Sequence, residues 1–147
     1  MTAKTTVRAR TLLGSSFTAV WLLALGIGTA FADGPAKVTP LMTKDLAGVD
    51  GKEIIMSTVE YVPGGHSVPH RHDANVLVYV LEGALTMQVD GHEPVTLKPG
   101  DSFYESPDDV HRVSANASKT EPAKFLVFMV KDKGKPPTRP VEGATAQ

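Results

Sequence analysis

The sequence predicts an all-β fold, a small jelly-roll-type barrel of short strands, and three observations carry that expectation. β-Branched, aromatic and other apolar residues dominate Val76-Leu77-Val78-Tyr79-Val80-Leu81, and Leu85-Thr86-Met87-Gln88-Val89 alternates with period 2. Turn signals such as Pro63-Gly64-Gly65, Asp90-Gly91 and Lys98-Pro99-Gly100-Asp101 recur at intervals of about eight to twelve residues. No segment after residue 32 shows sustained helical periodicity.

The first 32 residues stand apart. Lys4, Arg8 and Arg10 make a positive start, Leu12 to Ala30 is apolar or small, and Ala30-Phe31-Ala32 before Asp33 fits a small-x-small cleavage site. This is the pattern of a secretory signal peptide cut after Ala32, and it predicts a periplasmic or secreted protein with no membrane attachment after cleavage. The alternative is an uncleaved anchor, but Gly14, Ser15, Ser16, Gly26 and Gly28 dilute its hydrophobicity. Arg8 and Arg10 are separated by Ala9, so no twin-arginine signal is present.

Residues 33–147 suffice for one domain. Residues 33–52 read as an extended, polar, glycine-broken lead-in, and the barrel is expected over 53–130. Its strands are expected at Glu53–Val62, Val76–Glu82, Leu85–Val89, Val95–Leu97, Ser102–Glu105, Val110–Ala115 and Lys124–Val130. Residues 131–147, rich in Lys, Pro and Gly, read as a flexible or surface-draped tail. Met56, Met87 and Met129 are expected to fill the core.

The net charge of −1 becomes −4 once the three basic residues of the leader are removed, which argues against nucleic acid as a partner. There is no cysteine, so disulfides, zinc–thiolate sites and thiol catalysis are excluded. No phosphate-binding glycine loop or Gly-x-Ser-x-Gly elbow is present.

The chemistry concentrates in His70-Arg71-His72 and His111. Two residues separated by one point to the same side of a strand, so His70 and His72 can grip one divalent cation, with His111 arriving from a distant strand as third ligand. Val76, Val78 and Val80 share their face and should line the interior, while Tyr79 and Leu81 point outward and predict a homodimer. His92, after a hairpin turn, is expected to be exposed.

Over about residues 54–130 the chain resembles the cupin superfamily, the type-2 conserved-barrel group in particular. Gly64, His70, His72 and Gly83 fall on the spacing of the first cupin motif, with Val76 where that motif has a glutamate. Gly100 and His111 match the second motif, but Ser106 stands in the proline position, Asp108 replaces a glycine, and Asn116 lies one residue beyond the expected asparagine. The resemblance implies a double-stranded β-helix holding one divalent metal on His70, His72 and His111. It also implies a small-molecule ligand or substrate, most plausibly in an oxygenase-like, three-histidine dioxygenase reaction with Fe(II), with Mn, Zn, Ni or Cu as other metals. A replacement carboxylate is sought first at Glu105 and then at Asp73, with His66 a further imidazole. Glu105, His66 and Tyr104 are the candidates for a catalytic base. A non-catalytic sensor or carrier, or a redox-neutral isomerase or lyase, are the alternatives.

Overall fold

The computed structural model describes residues 36–141, and the leader expected at 1–32 lies outside them. Ten strands follow in order: β1 (Lys37–Asp45), β2 (Lys52–Tyr61), β3 (His70–Arg71), β4 (Ala74–Glu82), β5 (Leu85–Val89), β6 (Val95–Leu97), β7 (Ser102–Glu105), β8 (His111–Asn116), β9 (Ala123–Asp132) and β10 (Arg139–Pro140). They form two five-stranded antiparallel sheets, ordered β1-β2-β9-β4-β7 and β10-β3-β8-β5-β6. Chain neighbours such as β3 and β4 fall in different sheets, so the two layers are wound together as a jelly roll. Among the described residues no helix is long and apolar enough to cross a membrane.

The pleat decides the core. Along β4, Ala74, Val76, Val78 and Val80 are buried, and Asn75, Leu77, Tyr79 and Leu81 between them are exposed. β9 repeats the pattern with Ala123, Phe125, Val127 and Met129 inward, and Leu85 and Met87 close the interior from the other sheet. Each fully buried Val or Leu contributes on the order of 1.5–3 kcal/mol over its exposed state. Met87 and Met129 are core residues, while Met56 is half-buried on the outer side. Gly83, where the first motif ends, has φ of 73° and lies so close to β9 that an added Cβ would stand 2.4 Å from the Pro122 carbonyl oxygen. Only glycine fits there.

Two strands lie where the sequence indicated none. β1 occupies the lead-in and pairs along β2 from Lys37↔Glu60 to Asp45↔Glu53, with a shift between Pro40 and Met42. Pro40 and the two lysines, Lys37 and Lys44, mask it in the sequence, and they suit an exposed edge strand. β10 lies in the tail and pairs with β3, Arg139 opposite Arg71 and Pro140 opposite His70.

Candidate metal centre

The register of the smaller sheet assembles the histidines. His70 and His111 are Cα partners in the β3–β8 ladder, and His72 follows β3 directly. One ligand atom from each of the three lies within 4.8 Å of the others. His70 and His72 meet edge to face, their ring centroids 4.7 Å apart, and Phe103 stacks beside His111.

The outer hydrogen bonds set the tautomers. His70 Nδ1 lies 2.7 Å from the Val68 carbonyl and His72 Nδ1 2.9 Å from that of Pro137. A carbonyl only accepts, so each Nδ1 carries the proton and donates it, leaving a lone pair on each Nε2. Those two Nε2 atoms are 3.0 Å apart. Two facing lone pairs at that distance repel unless a cation lies between or beside them. Burial, reinforced by the neighbouring His72 and His111, pushes the His70 pKa down to about 4, so its ring resists protonation at neutral pH.

Glu105 brings a carboxylate beside the histidines. It is the register partner of Val76 in the β4–β7 ladder and only 2% exposed. Its Oε2 lies 3.2 Å from His111 Nδ1 and 3.7 Å from His72 Nε2. Glu105 Oε1 and both ring nitrogens of His111 are buried without a hydrogen-bond partner. Buried polar atoms are seldom left so, and the three histidines, with the Glu105 carboxylate beside them, could hold a divalent cation.

The tail completes the surroundings. Beyond the Pro137 carbonyl, Thr138 Oγ1 lies 3.3 Å from His72 Nδ1. The Arg139 guanidinium binds the Asp73 carboxylate through both Nε and Nη2, the latter at 2.7 Å. Asp73 has φ of 47°, a left-handed conformation that aspartate tolerates better than most residues. At the root of the tail, buried Lys131 donates to Glu53 and, at 2.5 Å, to the Lys135 carbonyl. A cavity of about 450 Å³ opens on His70 and His72 between β2, β9, β1 and the tail.

Of the sequence-derived candidates, Glu105 therefore joins the three histidines and the others do not. Asp73 is committed to Arg139 at the surface. Tyr104, 54% exposed, points outward from the same strand as Glu105 and donates to Asn75 Oδ1. His66 is exposed and bridges to Ala115, lining a separate depression with Arg112 and Pro69. His92 is exposed, as expected. The carbonyls of Val68 and Pro137 were not legible, because a backbone acceptor leaves no mark on residue type.

Comparison with known proteins identifies the fold. Residues 57–129 match the family model of the cupin domain (Cupin_2). This chain is a cupin, of the type-2 group. A double-stranded β-helix protein from Klebsiella pneumoniae is similar over 71% of the cupin chain and 84% of its own length, at 17% identity and a TM-score of 0.58. The Cupin_2 domain of an XRE family transcriptional regulator from Enterobacter cloacae is 26% identical, with coverages of 65% and 96% and a TM-score of 0.51. A recombinant oxalate oxidase in complex with glycolate is 25% identical over 68% of the cupin chain, at a TM-score of 0.51. The match spans about half, 52%, of that oxidase. No curated protein matches the cupin chain.

Proposed function

We propose that this cupin is an exported, metal-dependent enzyme that carries out an oxygenase-like reaction on a small organic molecule, with Fe(II) as its metal. The observation that carries the reading is the pair of Nε2 lone pairs 3.0 Å apart, beside the unpartnered His111 and Glu105. Such a site, when loaded, supplies Lewis acidity and open positions for a substrate and an oxidant. The chain's own share is orientation. Val68 and Pro137 fix the two rings, Phe103 packs on the third, and the buried Glu105 holds charge or a proton next to them. The oxidation performed by the oxalate oxidase relative supports this choice over a redox-neutral reaction. Export rests on the basic and apolar leader of the sequence.

Elemental analysis of protein from the cell envelope, with oxygen uptake measured on the same sample, tests the reading. Iron with substrate-dependent uptake is expected; zinc or nickel without uptake would refute the oxygenase. Intact mass should show a soluble chain beginning at Asp33, and a full-length chain in the membrane fraction would refute cleavage. The second reading is a metabolite-binding module, favoured by the regulator that carries the Enterobacter domain. It predicts stoichiometric ligand binding with no turnover.

A further inference from the structure

We propose that the cavity over His70 and His72 takes a ligand with one metal-binding head, an apolar body and no second anionic group. The inference deepens the function proposed above and rests on its metal centre. The body of the cavity is walled by Ile55, Val59, Phe125, Val127 and Met129, whose side chains offer a partner only apolar contact. Apart from the two histidines, none of the described residues lining it is ionisable at neutral pH with a fixed charge: there is no Lys, Arg, Asp or Glu. A second carboxylate on the ligand would leave water and meet no cation there, which is costly in a site of this kind. An apolar body gains by leaving water against these walls.

The polar contacts available are hydroxyls. Tyr61 OH and Ser114 Oγ are 2.8 Å apart, buried, and engage each other. Ser67 Oγ, on the same cavity, is buried beside the Tyr61 hydroxyl. Several of the walls belong to this chain and not to the family match at 57–129. Val38 and Pro40 come from β1, and Pro137 and Thr138 from the tail. The flanking segments thus complete a cavity whose apolar floor belongs to the shared barrel.

Three hydroxamates that share a head separate the terms of this proposal: acetohydroxamate, benzohydroxamate and 4-carboxybenzohydroxamate. Each is titrated into Co(II)-loaded protein, and the cobalt visible spectrum reports binding of the head. Benzohydroxamate should bind at least tenfold more tightly than acetohydroxamate, and the 4-carboxy compound at least tenfold more weakly than benzohydroxamate. Affinities within twofold of one another, or tightest binding of the carboxylated probe, would overturn the proposed class while leaving the metal centre intact. Absence of any protein-bound cobalt spectrum would instead overturn the metal centre, and the ligand class with it. Ile55→Lys, at a half-buried position where the stem can reach solvent, should reverse the preference between the two aromatic probes.

Discussion

Glu105 and Val76 face each other as register partners across the β4–β7 ladder, one bearing a buried carboxylate and the other a fully buried isopropyl group. A carboxylate thus lies beside the histidines on the strand adjoining the one on which the first cupin motif places its glutamate. Exchange should therefore be reversible. Glu105→Val is expected to lose metal affinity by tenfold or more, and Val76→Glu/Glu105→Val to recover much of it, measured by chelator competition. Val76→Glu alone sets two carboxylates opposite each other and should destabilise the metal-free protein by on the order of several kcal/mol before protonation relieves it. If the double variant bound metal no better than Glu105→Val, position 76 would not address the ion.

The His111 ring makes no well-formed hydrogen bond, its one polar neighbour being Glu105 Oε2 at 3.2 Å from Nδ1. His111→Ala should abolish stoichiometric metal binding in native mass spectrometry. It should cost the metal-free protein little by comparison, beyond its packing against Phe103. Wild-type stoichiometry and affinity in this variant would sink the three-histidine site.

The depressed pKa of His70 makes stability depend on pH. Its folded value of about 4 lies below the ordinary 6.5, so between these values the unfolded chain binds more protons than the folded one. The stabilisation is complete above pH 6.5 and is lost as pH falls toward 4. Denaturant titrations of metal-free protein should show stability declining through that window, and His70→Gln should flatten the decline. Competition between a proton and the ion for the His70 lone pair should set in only near pH 4 or below, where the folded ring takes up a proton.

The Pro137 carbonyl sets the tautomer of His72 from outside the family-matched barrel. Truncation after Lys135 is expected to lower metal affinity by roughly 10–100-fold while the barrel remains folded. Arg139→Ala should do less, because the Asp73–Arg139 pair is exposed and such pairs contribute about 0–1 kcal/mol. Equal affinity in the truncated and full chains would show that His72 needs no acceptor.

The outer face of β4 and its neighbours exposes Leu77, Tyr79 and Tyr104, about half of each open to solvent, with Phe128 alongside Leu77. A homodimer that covers this face is expected from light scattering at micromolar concentration, and Tyr79→Lys should shift it to monomer. A monomeric wild-type mass would remove the argument.

Much of the barrel could be read from residue type because its strands are half-buried and punctuated. The strands at Leu85–Val89, Val95–Leu97 and Ser102–Glu105 coincide with their sequence-derived limits, and β2, β4, β8 and β9 differ by one or two residues at their ends. Val76, Val78 and Val80 face inward as the period-2 pattern requires. β1 escaped notice because an exposed edge tolerates the lysines and proline that disqualify a central strand. At the site, the His-x-His spacing made the two rings legible, and Glu105 was the first-ranked replacement carboxylate. What could not be read was the choice among Glu105, His66 and Tyr104. That choice depends on which way β7 faces and on where the chain after residue 61 meets β8, both long-range facts of pairing.

The dependence of His72 on residue 137 also fixes an order of events. Among the contributors to the cage, His70, His72, Glu105 and His111 are synthesised first and the orienting carbonyl last. A chain threaded unfolded across a membrane, as the proposed export requires, would present scattered imidazoles on one side and a finished cage only on the other. The ion would then be chosen by what the outer compartment offers at the moment the tail docks, and the timing of that docking would act as a filter on metal supply.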